Sequence, residues 1–252
     1  MKKALRGSLC AYCGEHPATT EDHVIGRNFF PVHLRSNLPK VPACSNCNGR
    51  KADYERYAMA VFPFGSEHNA AQDILRTKVK RRLGKDQELL RQLQQSQKDV
   101  TVVNPDGSMD KTFCIQFEHE QTFNLFDMII RGLLWHHFRS PLPSSYVVRL
   151  FSLTDYGLGL FRKFILSRSP DQFQDVSLAN GAFRYQFTRN PADPFFTAWI
   201  LNIYGNLNMC DIGDNGRLHR SYIAALTGPQ AVNRIADAIE AETIRQGISV
   251  EH

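Results

Sequence analysis

The chain contains no apolar run long enough to cross a bilayer, and its basic start, MKKALRGSLCAYC, lacks the apolar core of a secretory signal. Neither a membrane-spanning nor a secreted protein is expected. The prediction is a cytoplasmic protein with no membrane partner, in a compartment where thiols stay reduced. Internal repeats and low-complexity stretches are also missing, so the chain is expected to fold around ordinary cores. Cysteine is sparse, at six in 252 residues. Cys114 and Cys210 stand alone in the sequence and read as small buried apolar side chains. Apolar content of 42% and charged content of 22% suit one or two globular domains.

The net charge of +5 is unevenly spread. Residues 1–100 hold 17 Lys+Arg against 10 Asp+Glu, while residues 101–252 hold 13 against 15. The basic excess lies in the half that also holds the other four cysteines. A polyanion, most simply nucleic acid, would meet that half first.

Those four cysteines form two Cys-x-x-Cys pairs, Cys10/Cys13 and Cys44/Cys47, with thirty residues between them. Each pair offers two thiolates, and two pairs complete a tetrahedral all-thiolate zinc site. Such a site is structural and leaves no open position for chemistry. What it brackets is therefore of interest: Asp22-His23 between the pairs, and Asn48 directly after the last cysteine.

Glu21 to Ile25 is predicted to be a short strand, followed by an Asn-, Pro- and Arg-containing loop over 26–40. Asn48 is expected to open a helix, GRKADYERYAMAV, with Tyr54, Ala58 and Val61 on one face, stopped by Pro63 and Gly65. A second helical region spans about 68–96, interrupted near Gly84, with Leu75, Val79, Leu83, Leu90 and Leu93 inward. Its outer face carries Arg76, Lys78, Lys80, Arg81, Arg82 and Lys85, either a solvated face or a contact stripe for a DNA backbone. The turn Asn104-Pro105-Asp106-Gly107-Ser108 marks the preferred boundary. Beyond it, 122–138 reads as a buried helix and 145–153 as a strand. Phe183, Tyr185 and Phe187 alternate with polar residues as a half-buried strand. Phe195 to Tyr204 reads as a central strand. Thr227-Gly228-Pro229 is expected to start a last helix lined by Val232, Ile235, Ala236 and Ile239 and closed by Gly247. The predicted class is α+β, with units at 1–66, 67–103 (a basic helical connector) and 104–252 (a mixed module of unknown role).

Phosphodiester hydrolysis needs an activated water, charge relief at the phosphate and stabilisation of the leaving oxygen. Histidine suits the first task, and a hard divalent cation held by oxygen ligands suits the others. Asp22, His23 and Asn48 supply those group types. Successive strand residues face opposite ways, so the strand must end or bulge near His23 for both side chains to serve one site. Asn48 can also act as a helix cap.

The segment CAYCGEHPATTEDHV…VPACSNCNGRK resembles the HNH endonuclease family of the ββα-metal fold, most of all its four-cysteine members of the phage Holliday-junction resolvase type. The resemblance covers about residues 8–60. It implies Cys10, Cys13, Cys44 and Cys47 as structural Zn2+ ligands, His23 as general base, and Asp22 and Asn48 as ligands of a catalytic Mg2+ or Mn2+. DNA, duplex or branched, is the implied partner. Arg27, Arg50, Lys51, Lys78, Arg81 and Arg82 are the candidate nucleic-acid contacts. The family usually carries an Asn about five residues before the third cysteine to brace the histidine loop. Here Pro39 holds that position and Asn37 is the nearest Asn.

Bland readings stand beside these. His16 and His33 are expected at the surface, Glu55 in an ion pair, His136-His137 in packing, and Phe183/Tyr185/Phe187 in a core face. The expected function is a metal-dependent endonuclease, in layout similar to small prokaryotic nucleases suspected in defence against phage or mobile DNA. A homodimer would suit double-strand cutting. The alternatives are a zinc-dependent nucleic-acid-binding module without turnover, or a nuclease gated by a C-terminal module that senses a ligand or docks an activating protein.

Overall fold

The computed structural model describes residues 7–66, 68–103, 108–115, 118–168, 170–205, 207–210 and 218–248, and the class is α+β. Strands β1 (Thr20–His23) and β2 (Lys40–Ala43) form an antiparallel hairpin that pairs Asp22 with Val41 and His23 with Lys40. The strand ends at His23, as a shared site for Asp22 and His23 requires. Helix α1 (Ser45–Val61) begins three residues before Asn48, because the Cys44 side chain caps it by accepting from the Cys47 N–H at 3.5 Å. Asn48 is therefore inside the first turns and its own N–H is bonded to the Cys44 carbonyl. A 3-10 turn, Phe62–Gly65, follows α1 where Pro63 was expected to stop it.

The next region is helical and broken, with α2 (Asn69–Ile74), a π-helical turn over Leu75–Val79, α3 (Lys80–Leu83) and α4 (Gln87–Ser96). Gly84 ends α3, and Asp86 caps α4 by accepting from the Leu89 N–H. Val79, Leu83 and Leu93 are buried, in keeping with the expected inner face. The π turn was not foreseen. It widens the helix by one residue and shifts the register of the basic side chains around it.

Strands β3 (Lys98–Val103) and β4 (Met109–Cys114) pair as a hairpin, an element the sequence reading did not predict. Residues 104–107 of the expected boundary turn lie outside the described residues. Helix α5 (His119–Phe138) then leads to the C-terminal sheet. This antiparallel sheet has the order β5 (Tyr146–Leu153), β10 (Leu218–Pro229), β8 (Asp193–Ile203), β7 (Phe183–Asn190), β6 (Gln174–Leu178), and β9 (Leu207–Cys210) pairs with the start of β10. The side chain of Cys210 lies outside the described residues. Strand β8 is central, as its nearly unbroken apolar run implied. Trp199, Leu201 and Ile203 face α5, while Ala198 and Ile200 face α6 (Asp155–Arg168) and α7 (Val232–Ile248). A sheet covered on both faces needs apolar residues at both phases of the pleat.

One correction concerns the last helix. Thr227-Gly228-Pro229 ends β10 instead of starting a helix, and α7 runs through Gly247 to Ile248. Gly228 is needed for close packing, since a Cβ there would lie 2.8 Å from Val232 Cγ1 and 3.0 Å from Phe196. Val232 and Ala236 are buried on the expected side.

A single buried cluster runs from Cys10, Tyr12 and Val24 through α1 and α5 to Phe183, Tyr185, Phe187 and Trp199 on the sheet. Gly132 is the point of closest approach. A Cβ on it would stand 3.0 Å from Val24 Cγ1 and 3.4 Å from the Tyr12 ring. The segment that positions Asp22 and His23 is thus packed directly on α5.

Candidate metal centre and the adjoining polar site

Cys10 and Cys13 sit in a tight turn closed by Gly14, whose φ of +71° favours glycine and whose N–H donates to the Cys10 carbonyl at 2.8 Å. Cys44 and Cys47 come from the end of β2 and the first turn of α1. The four sulfurs lie within 4.8 Å of one another. Burial pushes the Cys10 thiol up and Cys47 up to about 12. For Cys13, burial is more than offset by the N–H groups of His16 and Glu15, which bring it down to about 7. Four sulfurs this close are a donor set that suits a dication, since zinc binds thiolates and cancels their repulsion. Composition and spacing fit a structural Zn2+ site. Arg50 donates to Cys47 Sγ at 3.6 Å, so this candidate DNA contact is turned toward the metal centre. His16 is exposed, with Nδ1 3.9 Å from Cys13 Sγ, and His33 is exposed in its loop.

The polar site lies where α1 crosses β1. Thr20 and Asp22 share one face of the strand, two residues apart. Asn48 Nδ2 donates to Thr20 Oγ1 at 3.3 Å, and Lys51, one turn later, lies 3.0 Å from Asp22 Oδ2. The same Asp22 oxygen accepts from the Tyr12 hydroxyl at 2.5 Å. With Nδ2 directed at Thr20, Asn48 keeps its amide oxygen as an acceptor. Asp22 Oδ1 accepts no hydrogen bond among the described residues. Two hard oxygen ligands are therefore available for a divalent cation, though the described residues contain no cluster of three His, Cys, Asp or Glu groups other than the four cysteines.

His23 is half-buried at the end of β1. Burial first, then the charges of Lys40, Arg27 and Lys51, hold its pKa below the ordinary value against the opposing effect of Asp22. It is therefore neutral at pH 7. Its loop is braced by the Val24 N–H, which donates to the Pro39 carbonyl at 2.9 Å. Asn37 is exposed at φ +61°, a left-handed turn position.

Lys51 requires a correction. Expected as a surface contact, it is 1% exposed; its ammonium pairs with Asp22 at 3.0 Å and donates to Glu55 Oε1 at 2.5 Å and to the His23 carbonyl at 2.8 Å. Glu55 is in the expected ion pair. Burial pushes its carboxyl up, while Lys51 and the Gly26 N–H oppose that shift. Among the other basic candidates, Arg27 is exposed beside His23 and Arg81 is exposed on α3. Lys78 and Arg82 are half-buried. Lys78 lies 3.5 Å from the Phe30 carbonyl, which also accepts from Arg35 Nε at 3.0 Å. Burial, then the neighbouring Arg35 and Arg82, lower the pKa of Lys78 against the opposing effect of Asp73.

No family model, no curated protein and no solved structure matches the chain. Among the described residues no helix is long and apolar enough to cross a membrane.

Sequence reasoning missed Tyr12, Thr20 and the true place of Lys51. A signal was present: Lys51 and Glu55 carry opposite charges four residues apart on the helix, one turn after Asn48, and a Tyr stands inside the first cysteine pair. The aromatic stripe is core and the half-buried His137 packs against it, as expected. The ring centroids of His137 and Phe187 are 4.5 Å apart, and Phe183, Tyr185 and Phe187 are buried.

Proposed function

We infer that this chain is a metal-dependent endonuclease of the HNH type that hydrolyses phosphodiester bonds in DNA, with β1, β2 and α1 as a zinc-held ββα unit. The observation that carries this reading is the docking of the Asn48 edge of α1 on the Thr20–Asp22 face of β1, beside a neutral His23. A divalent ion held by Asp22 Oδ1 and Asn48 Oδ1 would relieve charge on the scissile phosphate and on the leaving 3′-oxygen. His23 accepts the proton of the attacking water, for which its depressed pKa keeps it ready at neutral pH. Attack opposite the 3′-oxygen leaves a 5′-phosphate and a 3′-hydroxyl. Arg27 and Lys40 flank His23 and bind the adjoining phosphates. Arg35, Lys78 and Arg82 extend the positive surface along the same loop.

One observation favours the rival of a binding module without turnover: a lysine already neutralises Asp22. Supercoiled plasmid incubated with the zinc-loaded protein separates the two. Nicking that requires added Mg2+ or Mn2+ and stops with EDTA supports the nuclease. Salt-sensitive binding with no cleavage under any divalent ion supports the binder.

A further inference from the structure

Lys51 is coordinated as a hard cation would be. Its ammonium donates to Glu55 Oε1 and to the His23 carbonyl, lies 3.0 Å from Asp22 Oδ2 in an ion pair, and stands 5.9 Å from the centroid of the Tyr12 ring. None of these partners is interchangeable with water, because the side chain is 1% exposed. Glu55 is hemmed in as well, with its side chain 13% exposed: a Cβ added to Gly26 would fall 2.4 Å from Glu55 Oε2. Two partly buried carboxylates that share one ammonium are held together by its positive charge. The chain provides one from its own helix, four residues before Glu55.

We propose that Lys51 is a built-in monovalent cation that withholds Glu55 and one oxygen of Asp22 from any divalent ion. The divalent ion is then left with Asp22 Oδ1 and Asn48, and binds weakly and exchangeably instead of in a two-carboxylate cage. This rests on the reading of Asp22 and Asn48 as divalent-ion ligands. In charge terms, Asp22 and Glu55 with Lys51 present a net −1, and without it −2. The number of charged ligands is a main determinant of affinity at oxygen sites. Lys51 also fixes the His23 backbone through the carbonyl, so the cation that limits metal binding positions the base as well.

The test is Mn2+ binding to the zinc-loaded full chain, followed by calorimetry and by the loss of the free Mn2+ paramagnetic resonance signal, with zinc content measured on every sample. Lys51→Met is expected to bind Mn2+ at least about tenfold more tightly than wild type, and Lys51→Met/Glu55→Gln to lose that gain. A folded Lys51→Met that binds Mn2+ no tighter overturns the proposal. Should Lys51→Met fail to fold, Glu55→Gln alone decides: affinity within about threefold of wild type supports a withheld carboxylate, and a loss of about tenfold makes Glu55 a ligand and overturns it. Mn2+ binding by Lys51→Met but not by wild type would overturn the proposal together with the divalent-ion reading of Asp22 and Asn48 on which it rests.

Discussion

The hydroxyl of Tyr12 donates to Asp22 Oδ2 at 2.5 Å, and Tyr12 lies between the first two cysteines. The zinc knuckle therefore reaches the polar site through one side chain. Burial and the facing carboxylate both push the Tyr12 phenol up, which keeps it a donor throughout the usable pH range. Tyr12→Phe leaves Asp22 with Lys51 as its remaining described partner. The expected loss is about 2 kcal/mol, or a fall in Tm of roughly 4–8 °C, with zinc content unchanged. Cleavage should fall as well, because Asp22 is less firmly oriented. Thermal melts and zinc analysis check the first part, and a cleavage assay the second.

Zinc removal should do more than either single contact. Cys44 caps α1 and is one of the four candidate zinc ligands, so Cys44→Ser disturbs the helix that carries Asn48 and Lys51. We expect loss of zinc and a drop of about 4 kcal/mol or more, on the order of 10 °C in Tm. Chelation of the wild-type protein should give the same melt. Near-ultraviolet circular dichroism before and after zinc is restored measures it.

Gly132 tests the packing of α5 on the site. A methyl group there meets Val24 at 3.0 Å, which is closer than ordinary contact. Gly132→Ala should destabilise by about 1–3 kcal/mol through overpacking, and Gly132→Val by more. Since Val24 follows His23 directly, cleavage should decline further than a distant core change of equal cost. A core substitution on the α6–α7 side, such as Leu158→Ala, provides the comparison.

His137 gives the fold a pH dependence of definite sign. Its Nε2 lies 3.0 Å from the Tyr185 hydroxyl, and burial, then His136 and Arg139, bring its pKa down to about 4. In the unfolded chain it titrates near the ordinary value of about 6.5. Between these values the unfolded state holds the extra proton, so stability falls as pH drops from about 6.5 toward about 4. His137→Gln keeps a polar partner for Tyr185 and cannot titrate. Its urea-unfolding free energy should change less over that range than that of wild type.

The four-cysteine cluster was legible because two Cys-x-x-Cys pairs have the spacing of a metal-ligand set. The apolar alternation of β7 and the apolar run of β8 were legible for the same reason: period and length leave little choice. Lys51 was not, because a lysine three residues after a candidate ligand ordinarily points to solvent. Only the pairing with Glu55 and the crossing of α1 over β1 bury it. The β10–α7 boundary was missed since Thr-Gly-Pro has the composition of a helix start, while Gly228 in fact answers to the bulk of Val232 and Phe196. The broken helix α2–α3 hides its π turn because a single extra residue leaves the apolar spacing almost unchanged.

The central claim is that His23 activates water in a zinc-held site. It is tested most directly by the single-turnover cleavage rate of a labelled DNA substrate by wild type and His23→Ala, matched for zinc content and melting temperature, in Mg2+ or Mn2+. The account predicts a fall of about a hundredfold or more in the variant with fold and zinc intact. Equal rates in the two proteins would contradict it.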